Sequence, residues 1–345
     1  MLDVCALLKI AKPLIQAPMA GVQDYRLALA VAKAGGLGSI PCAMLSIEQI
    51  HAQVNAFKAQ SDASYNLNFF CHTATQDAQQ ELIWREQLAP YFKEFEVGEL
   101  KASAGRVPFN QEIFDALAPL NPPIFSFHFG LPSADLVAKI KALGAVIISS
   151  ATSVAEGIWL EENGADIVIA QGVEAGGHRA MFLETDISRQ QGTFTLLPQL
   201  VQALQVPIVA AGGIADKQAI TAAVALGASA VQIGTSYLLC DEATTSALHR
   251  EVLTSDQAAT TCLTNVFSGR PARGIVNRAI RELGPISDKT PPFPTAATAI
   301  TQLRQAAEQR GSSDFSPLWS GCNNSGCKAI SATELTDELF TAFDI

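Results

Sequence analysis

The sequence predicts a (β/α)8 barrel of the TIM type, with an enlarged third crossover and a C-terminal extension after strand eight. Three observations carry this. Short runs that are apolar on consecutive rather than alternate positions occur eight times, the pattern of strands buried on both faces in a parallel sheet. Segments with helical spacing lie between most of them, and such alternation favours a closed barrel over an open sheet. Finally, the chain has 345 residues, 48% of them hydrophobic, ample for one large α/β core.

The strands are read, in order, at "LIQAPMAG", "GLGSIPCAM", "YNLNFFCH", "PIFSFHFG", "AVIISSA", "DIVIAQG", "PIVAAGG" and "AVQIGTS". The helices between them are "DYRLALAVAKAG", "SIEQIHAQVNAFKA", "ADLVAKIKALG", "SVAEGIWLEENG", "LLPQLVQALQ" and "KQAITAAVALG". Gly144, Gly164 and Gly227 stand where a left-handed cap would stop three of them. Two segments exceed a minimal barrel. Residues 73–122 hold a helical stretch, "TQDAQQELIWREQLAPYFKEF", and a shorter one near "QEIFDALAPL". Residues 241–345 include a loop-like "SGRPARG", the Pro-rich "KTPPFPT" and a helix, "AATAITQLRQAAEQ". The expected division is a barrel over 1–240, with a helical insertion near 73–122, and an extension over 241–345 that completes the barrel and covers the active site.

A net charge of −10 without a basic stripe argues against nucleic acid or an anionic membrane as partner. Seven scattered cysteines suit reduced thiols in the cytoplasm. The N-terminus lacks the basic and apolar regions of a signal peptide. Gln218 to Cys240 is uncharged and long enough to span a bilayer, but "LGAS" breaks it, so a helix followed by a buried strand is expected, and no membrane. The pair in "CNNSGC" cannot close a tetrahedral site alone, and no metal is expected.

In a barrel the chemistry sits at the C-terminal ends of the strands. The seventh strand ends in Gly212 and Gly213 and the eighth in Gly234 and Thr235. Backbone amides freed of side chains there, with a hydroxyl beside them, are placed to cradle a phosphate. The other ends carry Met19 and Ala20, Asn68, His128 and Gln171, with no carboxylate pair and no nucleophile elbow. A ring system held by amides on a phosphate anchor points to flavin mononucleotide. His51, His72 and His249 receive no role. His178 differs, because the glycines before it let backbone and ring approach a ligand closely. Its imidazole suits proton removal from a carbon acid or, when charged, the holding of an anion. His128, between phenylalanines, faces the same end. Glu174 is read as a brace for the turn.

The strings "QAPMAGV", "NLNFF", "SFHFGLP", "QGVEAGGHR", "VPIVAAGGI", "GASAVQIGTSYLLCDEA", "SGRPARGIVN" and "PLWSG" span nearly the whole chain. In this order they resemble the bacterial, FMN-dependent class of the nitronate monooxygenases, formerly 2-nitropropane dioxygenases. The resemblance implies that Asn68, Gln171, Gly176, Gly177, Gly212, Gly213, Gln232, Ile233, Gly234 and Thr235 bind FMN, and that Met19 and Ala20 lie near its ring. It makes His178 the catalytic histidine and His128 its neighbour in substrate binding. The activity implied is oxidation of alkyl nitronates by O2 to carbonyl compounds and nitrite, in a monomer or homodimer. The alternative is an FMN-dependent NAD(P)H reductase of enoyl thioesters or quinones on the same barrel. The chain departs from the family pattern at Ala180 and Met181, after the histidine, and at Cys322, where the family often has an amide.

Overall fold

The computed structural model describes residues 3–73, 75, 77–98 and 106–340. Its strands are β1 (Leu14–Gln16), β2 (Gly38–Pro41), β3 (Tyr65–Phe70), β4 (Ile124–His128), β5 (Val146–Ala151), β6 (Ile167–Gln171), β7 (Gly177–His178), β8 (Ile208–Ala211), β9 (Ala230–Ile233), β10 (Thr261–Thr264) and β11 (Ala272–Ile275). The helices are α1 (Val4–Leu8), α2 (Tyr25–Lys33), α3 (Ile47–Lys58), α4 (Ala78–Glu94), α5 (Gln111–Leu117), α6 (Ala134–Ala142), α7 (Val154–Glu162), α8 (Thr193–Ala203), α9 (Lys217–Ala225), α10 (Ala247–Leu253), α11 (Arg278–Leu283), α12 (Ala296–Gln309) and α13 (Ala332–Phe340).

Eight parallel strands run in the order β1-β9-β8-β6-β5-β4-β3-β2, and a parallel bridge from Ile15 to Leu37 joins the two ends of that order. The result is the (β/α)8 barrel read from the apolar runs, with each run on a strand. Ile15, Ile124, Ile148, Ile167 and Val209 share one apolar cluster with Val4 and Leu8, so α1 closes the bottom of the barrel. Asp3 caps that helix through the Cys5 amide at 2.9 Å. The uncharged stretch splits into α9 and β9, and no helix among the described residues is long and apolar enough to cross a membrane.

The enlarged crossover and the extension pack on each other. Trp84 and Leu88 of α4 are buried with Ile300 and Leu303 of α12 and with Phe315, and the Trp84 indole donates to the Ala296 carbonyl at 3.3 Å. On the far side, α13 lies against α2, with the Thr333 hydroxyl on the Ala30 carbonyl at 3.0 Å.

One expectation is corrected. The stretch "SGRPARG" is not only loop, because its second half enters β11. This strand pairs antiparallel with β10 and with the two-residue β7, where Ala272 faces His178 and Arg273 faces Gly177. Neither β7 nor β10 shows a long apolar run, which is why the second sheet escapes a reading based on periodicity.

Gly38 fixes how closely α2 approaches the barrel, for a Cβ there would stand 2.1 Å from the Ala28 carbonyl oxygen. Gly38→Ala should therefore lower stability by about 1–3 kcal/mol, the usual cost of overpacking a dense interior. Urea unfolding measures it, and an unchanged midpoint would show that the helix moves aside freely.

Candidate active site

At the C-terminal end of the barrel lies a cavity of about 210 Å³. Its floor is lined by Asn68 of β3, Ser126 and His128 of β4, Gln171 of β6 and Gln232 of β9. These positions follow from strand geometry, since alternate residues of a barrel strand point inward. The same alternation places the next side chain elsewhere. Ile233 follows inward-facing Gln232 and turns outward, into the apolar cluster that also holds Leu27, Ile214 and Tyr237. Its side chain does not line the cavity.

One end of the cavity is nearly free of side chains. Gly212 and Gly213 have φ of +115° and +72°, a left-handed run that other residues adopt at a cost. Among the described residues, the amides of Gly213, Ile214 and Gly234 have no partner. Thr235 stands beside them, and its Oγ1 accepts from the Gly321 amide at 2.9 Å. Two turns cross here, for a Cβ on Gly176 would meet the Gly321 nitrogen at 2.6 Å. Asn323 reaches in from the extension to donate to the Gly213 carbonyl at 3.1 Å. Glu174 accepts from the Thr193 amide at 2.9 Å and hydroxyl at 2.9 Å. It braces the start of α8, as expected.

At the other end stands His178. Its carbonyl accepts two donors, Gln171 Nε2 at 3.0 Å and His128 Nε2 at 3.1 Å. The other end of the Gln171 amide accepts from the Ala180 nitrogen at 2.8 Å. Gln171 thus lines the cavity while fastening β7 to the barrel. Arg179, fully buried, donates to the carbonyls of Gly172 at 2.6 Å and Gln171 at 2.7 Å. Ala180 and Met181 are both buried. The next turn is pinned by Glu156, which accepts from the Phe182 amide at 2.6 Å.

The His178 imidazole contacts the Ser268 hydroxyl through Nε2 at 2.8 Å. Aromatic rings surround it: Phe293 at 5.5 Å, Trp319 at 5.6 Å, Phe129 at 6.1 Å and Phe70 at 6.2 Å between centroids. Phe129 sits at φ +70°, a backbone strain tolerated chiefly at functional sites. Burial holds the His178 pKa well below 6.5, and the charges of Arg106 and Arg270 add to this with His128. His128 is pushed down to about 4, mainly by burial. Both rings are neutral at pH 7. Since a carbonyl only accepts, His128 carries its proton on Nε2.

Met19, Ala20, Gly176, Gly177, Gly212, Gly213, Gly234 and Thr235 all line this cavity. Met19 is held through its amide by the Gln23 side-chain oxygen at 2.8 Å. His51 binds the Ala116 carbonyl at 2.9 Å, away from the cavity. His249, given no role from the sequence, lines the cavity wall with its Nε2 buried and unpartnered among the described residues. Ser268, Phe293, Trp319 and Arg106 were also missed. Ser268, Phe293 and Trp319 fall within "SGRPARGIVN", "KTPPFPT" and "PLWSG", whereas no pattern marks Arg106.

The sequence profile of the family described as "Nitronate monooxygenase" matches residues 3–342. The chain belongs to this family. It is a flavin-dependent oxidoreductase family. The nitronate monooxygenase of Pseudomonas aeruginosa is 39% identical, over 96% of each chain. That of Paraburkholderia phytofirmans is 37% identical, over 96% of this chain and 92% of its own. Among solved structures, the nitroalkane oxidase from Streptomyces ansochromogenes superposes with a TM-score of 0.91 at 32% identity, covering 99% of this chain and 97% of its own. FabK from Thermotoga maritima shares the fold at a TM-score of 0.71 and 22% identity, covering 99% of this chain and 96% of its own.

The buried histidines of this family member carry a pH signature. His128 and His249 fold with pKa values near 4, below the unfolded value of about 6.5. Between these limits the unfolded chain binds more protons, so stability falls as pH drops through the window. Each ring contributes a slope of up to about 1.4 kcal/mol per pH unit. Urea unfolding from pH 7 to 4 should show it, and His249→Gln should reduce the slope by one share. An unchanged slope would mean that His249 is protonated when folded.

Proposed function

We propose that the protein binds FMN and oxidises alkyl nitronates with O2 to carbonyl compounds and nitrite. The observation that carries this is the pairing, in one cavity, of a side-chain-free cradle with a neutral histidine boxed by aromatic rings. Family membership supports the flavin, and the cradle favours the mononucleotide. Unpartnered amides at Gly213, Ile214 and Gly234, with the Thr235 hydroxyl, fit a terminal phosphate. No dinucleotide fingerprint follows a strand to hold an adenosine half. Asn68, whose Nδ2 donates to Ser126 Oγ at 3.0 Å, keeps its amide oxygen for the ring system. Met19 and Ala20 offer it an apolar edge.

Bound FMN would supply the electron-transfer chemistry between substrate and O2. The chain's own residues bind, orient and exclude water. Phe70, Phe129, Phe293 and Trp319 give the substrate's alkyl group an apolar wall. His178 is the catalytic residue of this reading, and His128 places it by bonding its main chain. Because burial keeps His178 neutral, it acts as a base toward the α-proton of a nitroalkane rather than as a positive charge. A supplied nitronate has already lost that proton.

His178→Asn should leave flavin content intact and cut turnover of neutral nitroalkanes by roughly 10²-fold, the usual scale for a general base. Preformed nitronates should lose much less. Equal losses on both would give the ring a role in holding the anion instead. In the same preparations, anaerobic nitronate should bleach the flavin and NADH should not. Rapid bleaching by NADH alone would make the protein a reductase.

Gly213→Val should lower flavin occupancy, because a β-branched residue resists φ of +72°. Cofactor released by heat and separated by chromatography checks both occupancy and identity, and FAD there would refute the mononucleotide.

A further inference from the structure

A neutral His178 leaves an anionic substrate without a counter-charge, and the cavity holds one candidate that no step above uses. We infer that Arg106 anchors the substrate, its planar guanidinium taking the two oxygens of the nitronate group in the aromatic box beside His178. This rests on the nitronate reading of the site.

The other arginines near the site are occupied. Arg179 donates to two carbonyls and to Gln190 Oε1. Arg273 donates to the Val173 carbonyl at 2.8 Å and to Thr261 Oγ1 at 3.2 Å. Arg270 donates to the Met181 carbonyl at 3.4 Å and lies over the Phe129 ring at 4.1 Å, with the Glu156 carboxylate supporting its charge. Arg106 lines the cavity, yet among the described residues its guanidinium has neither a hydrogen bond nor a carboxylate. Its one partner there is the Phe293 ring, with Cζ 5.4 Å from the centroid. The His178 ring approaches the same phenylalanine at 5.5 Å. Cation and base thus both contact one aromatic ring.

The segment carrying Arg106 is held in place. His72 Nε2 donates to the Arg106 carbonyl at 3.0 Å, and the His72 ring packs edge-on against Phe293 at 4.8 Å. Burial lowers the Arg106 pKa, but a guanidinium remains charged in proteins. A partly desolvated cation without a carboxylate attracts a small anion strongly. A planar fork of donors matches two oxygens on one atom, which a point charge does not. A neutral nitroalkane gains far less from such a contact, so Arg106 sets a preference for the nitronate over its conjugate acid.

The test uses the flavin-loaded protein, with nitrate as a planar trioxygen anion and ethyl nitronate as substrate. Arg106→Gln should weaken nitrate binding in calorimetry at least tenfold and raise KM for ethyl nitronate at least tenfold, the loss expected for one charge-assisted contact. KM for neutral nitroethane should change by less than about threefold, since a neutral nitro group makes the weaker hydrogen bond. Wild-type nitrate affinity and nitronate KM in this variant would overturn the inference while leaving the proposed function intact. Failure of the wild-type protein to oxidise ethyl nitronate at all would instead overturn the proposed function, and the inference with it. Should the Gln variant not retain flavin, Arg106→Lys decides. It keeps the charge without the fork, so KM for the nitronate should rise about threefold to tenfold, and an unchanged KM would refute the bidentate anchor.

Discussion

The site depends on one amide. Gln171 ends the sixth barrel strand, and its side chain spends both ends on the segment that carries His178, donating to the His178 carbonyl and accepting from the Ala180 nitrogen. A two-residue strand has too few ladder bonds to hold itself. Position therefore comes from this clamp, from the His128 contact to the same carbonyl, and from pairing with β11. The barrel supplies rigidity, and the amide transmits it to the imidazole.

The electrostatics follow from the same construction. Arginines that would otherwise be unsatisfied spend their donors on carbonyls of the irregular turn after β6, which lacks a ladder of its own. Burial, with the charges of Arg179 and Arg270, lowers the His128 pKa, and burial, with Arg106, His128 and Arg270, lowers that of His178. Glu156 and Glu174, the acids close by, are consumed as acceptors for backbone amides and do not reach the substrate space.

Much of this was legible in the sequence because the barrel strands are buried on both faces and read as uninterrupted apolar runs. Inward positions such as Asn68 and Gln171 follow from strand ends, and the glycine pair after β8, with Gly234 and Thr235 after β9, marks the turns that are bare of side chains. The outward side chain of Ile233 does not show in a run of adjacent residues, because alternation separates it from Gln232. The cavity position of His249 is not legible, because neighbours along a helix say little about which way one residue faces. Ser268, Phe293 and Arg106 lie in segments without periodicity, brought to the cavity by packing between α4 and α12 and by a sheet whose strands are too short to announce themselves.

The pairing of His178 with Ala272 also has a bearing on biosynthesis. Ninety-odd residues separate the two partners, and Trp319 lies further on still. During translation the loop after β6 leaves the ribosome well before the strand that must fix it, and at about 5–20 residues per second the interval is several seconds. Through that time the glycine-rich turn and its arginine have no ladder to join. The nascent chain can stack its early βα units, but the cavity's full enclosure waits for the later segments to emerge.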